Sequence, residues 1–575
     1  MTKRRRRIVR SLSEMLRAGR KGATQEQLSA GGNTVAAGGG ARASGAGSDG
    51  PGQDGRQPGR ESGNAVNRVY RQDELRQAPL SASLDENLAG LRRVLGGFPG
   101  FSIREFLVAG KWRAAMVFTE GLIDPALAEG GILRPLMHSL RREPEVGGSL
   151  LETVREAGMA AAPLRARRTL GEVVEDVLEG QAVLLVDGES GALSAEVTGF
   201  PTRGIAEPVS ESVVRGPREG FVESLAKNLT LIQRRLKTPN LACEHFFLGL
   251  ETHTQVTVLY IKGRANPEHL AELKRRLQRI DKNIDGVLES NHIEELIADQ
   301  PLSPFPQVLS TERPDRVAAA LLDGRIAILV DNTPVALVVP YEFLALMQAA
   351  EDYYQNYFFG TAIRILRYVA LVIALVGPAV YVAVTTFHQE MIPEALLFSI
   401  VAARQGIPFP AVIEMLLIDY AFELLREAGI RLPRPIGQAV SIVGALVIGQ
   451  AAIQAGLTSP LAVIVVAVTG IASFVLPSFS LAFSFRIIRF FITILGGILG
   501  LYGVVAAVLA ILIHLAGLRT LGVPYLAGFA PLHLSDLKET VVRPPWWAMR
   551  RRPHELSKRN RERQKPGLKP GPERT

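Results

Sequence analysis

Apolar and polar positions alternate in three different ways along this chain. Up to about residue 80 they follow no period: stretches such as GGNTVAAGGGARASGAGSDGPGQDG are Gly-, Ala-, Ser- and Arg-rich. Such a segment buries too little apolar surface to offset the entropy of ordering, so residues 1–80 are predicted to be a disordered tail. Between about residues 84 and 345, helical and strand-like patterns alternate. Phe221, Leu225, Leu229, Ile232 and Leu236 recur at helical spacing and predict a helix over 221–235. After about residue 365 the apolar runs lengthen. Residues 368–387, 438–457, 461–476 and 487–515 read as four membrane spans, 20 residues being enough to cross roughly 30 Å of hydrocarbon. Gly377-Pro378 predicts a kink in the first. The more polar stretch 392–425, broken by Pro408-Phe409-Pro410, predicts two short helices, as a re-entrant element or a thin buried hairpin. Four spans, or six if that hairpin crosses, leave both chain ends on one side.

The middle region repeats itself. Asn87-Leu88 returns as Asn228-Leu229, Phe106-Leu107 as Phe247-Leu248, and the apolar run before Gly121 returns before Gly263. LEGQAVLLVDGESGALSAEV, from Leu178, returns as LDGRIAILVDNTPVALVV, from Leu322. The offsets of 141, 141, 142 and 144 residues are nearly constant, which predicts a duplicated α/β unit. Each copy ends in a hairpin around Asp-Gly or Asp-Asn-Thr-Pro. The expected fold class is an α/β soluble part built from a duplicated unit, residues 81–205 and 206–345. An amphipathic connector at 346–367, a helical membrane domain at 368–520 and a tail at 521–575 follow. The connector carries Glu351, Tyr353, Tyr354, Arg364 and Arg367 and is expected at the headgroup level.

Charge changes this picture at the ends. The formal net charge is +9. Residues 543–575 hold 11 Lys or Arg against 3 Glu, and the first ten residues hold six more cations. On a membrane protein, basic ends predict retention on the cytoplasmic side and attraction to anionic lipid. No basic module with interleaved aromatics supports nucleic-acid binding. Cys243 is the only cysteine, which excludes an intrachain disulfide, and in LACEHFF it reads as a small hydrophobe. No apolar core follows the charged start, so no cleavable signal peptide is expected.

Motifs for hydrolysis, nucleotide binding or metal catalysis do not occur: there is no HExxH, P-loop, nucleophile elbow or Cys/His cluster. A non-enzymatic protein without cofactor or metal is expected. Polar residues in the membrane half are the remaining candidates. Glu394, Glu414, Asp419 and Glu423 lie in or beside the hairpin as ion-path residues, or else as interfacial groups with Glu423 paired to Arg426 and the others solvated. Gln450 and Gln454 share a helix face and either line a pore or bond between helices. Gly496, Gly500 and Gly503 allow close helix packing within or between subunits. Arg486 and Arg489 either snorkel or are paired within the bundle.

Three stretches together carry a family resemblance: DENLAGL at residues 85–91, EPVSESVVRGPREGF at residues 207–221, and the run from Pro304 to Pro340 containing Thr311-Glu312-Arg313-Pro314-Asp315. With EDYY at 351–354 and the multi-span half, the chain resembles the A subunit of the GerA-type spore germinant receptors over roughly residues 80–540. The resemblance implies an integral protein of the spore inner membrane, with its soluble part and C-terminal tail on the core side. It implies partnership with a transporter-like B subunit and a lipoprotein C subunit, self-association, and gated release of monovalent cations when nutrient is sensed. The stage V sporulation AF type, thought to amplify ion release, resembles the same motifs. A non-conducting membrane scaffold is the alternative from another class. Within the motif that begins at Glu207 and Pro208, the charged residues Glu211, Arg215, Arg218 and Glu219 flank Gly216 and Pro217 and precede Phe221. They are expected either to pair across a subunit interface or to brace the two halves of one chain.

Overall fold

A computed structural model describes residues 75–571, except 76, 140–148, 157–162, 200–207, 209–210, 212, 282, 433–443, 445–446 and 557–559. The tail expected over residues 1–80 therefore lies almost wholly outside the described residues, as do Glu207 and most of the first half of the span expected at 438–457.

The first lobe opens with α1 (Leu84–Leu95), whose Leu84, Leu88, Leu91 and Leu95 fall on one face and are buried. It continues through β1 (Phe101–Val108), β2 (Trp112–Thr119), β3 (Leu164–Arg167), α2 (Leu170–Glu179), β4 (Ala182–Val186) and β5 (Ala192–Ala195). Thr169 and Glu172 form a reciprocal cap at the start of α2, and Gly180 ends it at φ +86°. The five strands pair antiparallel in the order β1-β2-β4-β5-β3.

The second lobe has the same plan. α3 (Leu225–Gln233), β6 (Leu241–Leu248) and β7 (Thr254–Ile261) lead to α4 (Pro267–Asp281), α5 (Ser290–Ile297) and β8 (Leu309–Thr311). α6 (Pro314–Asp323), β9 (Ile326–Val330) and β10 (Ala336–Val339) complete it. Its sheet order, β6-β7-β9-β10-β8, repeats the first. The residues that mark the sequence repeat make the same bonds twice. Asn87 accepts from the Ser81 amide (2.9 Å) and donates to its carbonyl, and Asn228 does the same with Val222 (2.8 Å to the amide). Asp187 accepts from the Leu84 amide at 3.0 Å, as Asp331 does from Leu225 at 3.2 Å. Each Asp thus ties the β4–β5 or β9–β10 turn to the first residue of a helix. The predicted helix over 221–235 begins later, at Leu225 after an extended Ser224, and Phe221 instead donates its amide to the Glu312 carbonyl at 2.7 Å.

β4 and β9 are buried along their whole length, since each sheet is covered on both faces. One continuous core joins α1, α2, α3, α6 and the two sheets. It then runs on into the C-terminal helical half through Leu481, Phe485 and Leu515.

That half contains α7 (Tyr357–Phe387), α8 (Glu394–Arg404), α9 (Ala411–Arg431), a helical stretch at 447–454, α10 (Pro460–Phe474) and α11 (Phe479–Gly517). Two of these, α7 and α11, are long and apolar enough to cross a membrane, and α10 is a shorter apolar helix. α11 is not one rod. Gly500 has φ +62° and ψ −146°, outside helical space. Phe305 packs on both Phe485 (5.6 Å between ring centroids) and His514 (5.8 Å). On a straight helix residues 485 and 514 would be roughly 43 Å apart, so the chain folds back at Gly500. The single span expected at 487–515 is therefore two antiparallel segments with glycine at the turn. The kink expected at Gly377-Pro378 does not break α7, which runs through Pro378.

The contacts order the remaining helices. α7 leaves the lobes, and its far end, at Phe387 and His388, meets the Gly500 turn. Ser459, just before α10, contacts Tyr381 near that far end, while Ser473 contacts Arg426 at the lobe end of α9. Gly444 lies against Leu425, and Gly456 against Gly406. Hence α7, α9, the segment marked by Gly444 and residues 447–456, α10 and the two arms of α11 run alternately between a lobe end and a far end. The hairpin expected at 392–425 is a short α8 at the far end followed by a 21-residue α9 that returns.

Candidate functional site

The motif around residue 211 is built into the junction between the second lobe and α7. Its Glu211 carboxylate accepts from the Thr311 hydroxyl at 2.6 Å and pairs with Arg316 at 2.7 Å. Arg313 is only 1% exposed and donates to the carbonyls of Glu211 (3.1 Å) and Pro217 (3.0 Å), and to Asp315 (2.9 Å). Pro314 is the first residue of α6, where a missing amide costs nothing. Tyr354 donates to the other side of this group, at Asp315, and burial followed by that carboxylate pushes its phenol up to about 12. Glu351 accepts from the Val214 amide at 2.7 Å. Glu219 pairs with Arg234 (3.2 Å) and Arg235 (2.6 Å), and the two guanidiniums outweigh its burial to hold its carboxyl below the usual range. Pro208 is buried, whereas Arg215, Gly216 and Arg218 are exposed.

One residue beyond Glu351 the link enters the bundle. Asp352 is buried and bridges Arg364 (2.9 Å) and Arg367 (two bonds of 3.0 Å). Arg367 also donates to the Met347 carbonyl at 2.7 Å, and Arg364 to the Glu539 carbonyl at 2.6 Å. Arg364 and Arg367, expected at the headgroup level, point inward, because Asp352, in the short helix Glu351–Tyr354 before α7, offers a desolvated partner. Asp352 escaped the sequence reading. The signal was an acid shortly before Arg364 and Arg367, which share a helix face at i and i+3.

Inside the bundle, α9 and the first arm of α11 share a charged cluster. Asp419 binds Arg489 through two bonds, 3.0 and 2.7 Å. Glu423 reaches Arg489 (3.1 Å), Arg486 (3.3 Å) and Arg426 (3.4 Å). Arg426 also lies 4.4 Å from the ring centre of Phe474. Nearer the far end, Glu414 is 1% exposed and accepts from the Ser459 amide and hydroxyl, both at 2.6 Å, and from Thr458 at 3.2 Å. Arg404 is 3.5 Å away. Asp419 and Glu414 are therefore buried and partnered, not solvated, while Glu394 is exposed on α8. Gln450 and Gln454 are exposed on the outside of the bundle. Gly496 lies where a Cβ would come within 2.9 Å of the Ala379 carbonyl, and Gly503 where one would strike the Leu495 backbone. These glycines pack segments of the same chain.

A cavity of about 720 Å³ separates the cluster from the second lobe, bordered by Thr311, Glu211, Arg426, Ser473 and Arg486. The arrangement links charge on an α/β lobe to charge inside a helical bundle. It defines a class: a duplicated α/β body joined through buried ion pairs to apolar helices of membrane-crossing length. The chain belongs to the GerA family of spore germination proteins, since the family model described as Bacillus/Clostridium GerA spore germination protein matches residues 90–555. Spore germination protein KA of Bacillus subtilis is 42% identical over 504 residues, 87% of this chain and 92% of that protein. The uncharacterized membrane protein YfkQ of the same species is 43% identical over 497 residues, 86% and 96% of the two chains. The crystal structure of the N-terminal domain of the A subunit of the Bacillus megaterium spore germinant receptor GerK3 aligns with 46% of this chain and 98% of that domain. The identity is 32% and the TM-score 0.36.

Proposed function

We propose that this protein is a membrane subunit of a nutrient germinant receptor, in which the soluble lobes control a cation-conducting helical assembly. One observation carries the reading: the bonded path from Thr311 and Arg316 through Glu211, Val214 and Glu351 to Asp352 at the base of α7. A displacement of the second lobe would be passed along this path to the first apolar helix, where it ends on the desolvated Asp352–Arg364–Arg367 group, in which losing a partner is costly.

The six helical segments that alternate between lobe end and far end would form a multi-span domain in the spore inner membrane. Their even number returns the C-terminal tail to the lobes' side, the core side in this reading. The tail's exposed Arg550, Arg551, Lys565 and Lys569 would meet anionic lipid, while Arg543, Arg552 and Arg563 are bonded within the chain. The outward Gln450 and Gln454 support self-association, with the conducting path lined where copies meet. Arg215, exposed and without an ion-pair partner among the described residues, would lie at such a contact. The B and C subunits named by the resemblance complete the assembly.

The test deletes the gene and follows potassium and dipicolinic acid release from spores given single nutrients. Loss of early potassium release for one nutrient class supports a receptor subunit. Slower release for every nutrient would replace this reading with an amplifier of the stage V AF type. Unchanged release, with related receptors also removed, would leave only a scaffold.

A further inference from the structure

α12 (Leu534–Val541) starts just after His533, and the C-terminal segment returns past it at His554 and Glu555. The two imidazoles stack with centroids 4.5 Å apart and planes 14° from parallel. His533 Nε2 lies 3.7 Å, and His554 Nδ1 3.4 Å, from the same Glu555 oxygen. One nitrogen of each ring and a carboxylate oxygen all lie within 4.8 Å of one another. Both nitrogens are buried as atoms and have no hydrogen-bond partner. The surroundings hold the trio in place: the Asp536 carboxylate accepts from the His554 amide at 2.9 Å, and the His533 amide donates to the Gly528 carbonyl at 3.0 Å. His533 makes no side-chain cap on α12, so its ring is free for another role.

Two buried, unbonded imidazole nitrogens are a cost to be explained. Protonating both rings would stack two cations against one carboxylate. A divalent ion would instead place its charge between two neutral nitrogens and one anionic oxygen. We propose that His533 Nε2, His554 Nδ1 and Glu555 Oε1 bind a late first-row divalent ion, with zinc the best match to two imidazoles and a carboxylate. Bond lengths of about 2.0–2.2 Å require the trio to contract and the rings to turn out of their stack. Three protein ligands leave the fourth position to water. The ion would pin the returning segment to α12, whose Glu539 carbonyl holds Arg364 at the base of α7. Its binding would therefore bear on the same junction as the lobe-to-helix link.

The test uses the full chain in detergent, carrying no polyhistidine tag, stripped with chelator and titrated with Co²⁺ alone. One Co²⁺ per chain, with the visible absorption of a tetrahedral site displaced by Zn²⁺, is expected. His533→Gln and His554→Gln should each weaken binding at least tenfold, and Glu555→Gln, which keeps shape, should do so with an unchanged gel-filtration profile. Zn²⁺ should also slow proteolysis after Arg550 and Arg551 in the parent chain but not in the variants. Absence of a Co²⁺ spectrum, or equal binding by the H533Q/H554Q double variant, would overturn the proposal.

Discussion

Gly216 has φ +134°, and a Cβ there would lie 2.6 Å from the ring of Tyr354. The residue is small because the motif must pass directly under the tyrosine that holds Asp315. Gly216→Ala should therefore displace Tyr354 and lower stability by about 1–3 kcal/mol, read as a lower thermal midpoint in detergent. An unchanged midpoint would mean the junction is loose. Glu539 shows a second residue-level property. Burial pushes its carboxyl up to about 7, against an ordinary value near 4.5. Because the folded state then holds a proton that the unfolded chain releases, stability should fall as pH rises from about 4.5 to 7, by up to about 3 kcal/mol. Glu539→Gln should flatten that slope in melts taken across the range; a slope that persists would assign it to another group.

Between elements, the buried charges decide which helices stay together. Arg489→Met would leave Asp419 buried without its guanidinium and should destabilise the bundle by about 3–5 kcal/mol. Adding Asp419→Leu removes the stranded charge, so the double variant should recover much of that loss, measured by detergent-resistant folding. Equal instability in the two variants would show that Glu423, not Asp419, is the main partner. The fold-back in α11 depends on Gly500, where a Cβ would approach His388 within 2.8 Å. Gly500→Ala should shorten the lifetime of the folded bundle at elevated temperature, whereas a straight helix would gain from the same change.

For the whole molecule, the path from lobe to α7 predicts a separation of folding from signalling. Asp352→Asn keeps the side-chain shape but removes the charge that Arg364 and Arg367 share. Spores carrying it should contain the protein in reduced or normal amount, yet release potassium more slowly for each molecule present. Normal release per molecule would exclude Asp352 from the coupling.

The repeat offsets, the paired Asn and Asp turns and the apolar runs are local patterns, so the sequence by itself specified a doubled α/β body followed by apolar helices, though α7 and α11 begin earlier, at Tyr357 and Phe479, than the apolar runs suggested. Asn87 and Asn228 were legible because each acts on residues only six positions away. The ion pairs were not: Asp419 and Arg489 are 70 positions apart, and Glu211 and Arg316 are 105. Sequence placed Arg486 and Arg489 in an apolar run but could not choose between snorkelling and pairing, because the partner lies on another helix. Nor could it show that Phe305 touches both arms of α11, since a glycine in an apolar run reads equally as packing or as a turn. His533 and His554 are likewise joined only by the return of the tail. Tertiary structure decided these points because burial makes a charge or a ring nitrogen depend on whatever the fold brings within about 3–4 Å, however distant in the chain.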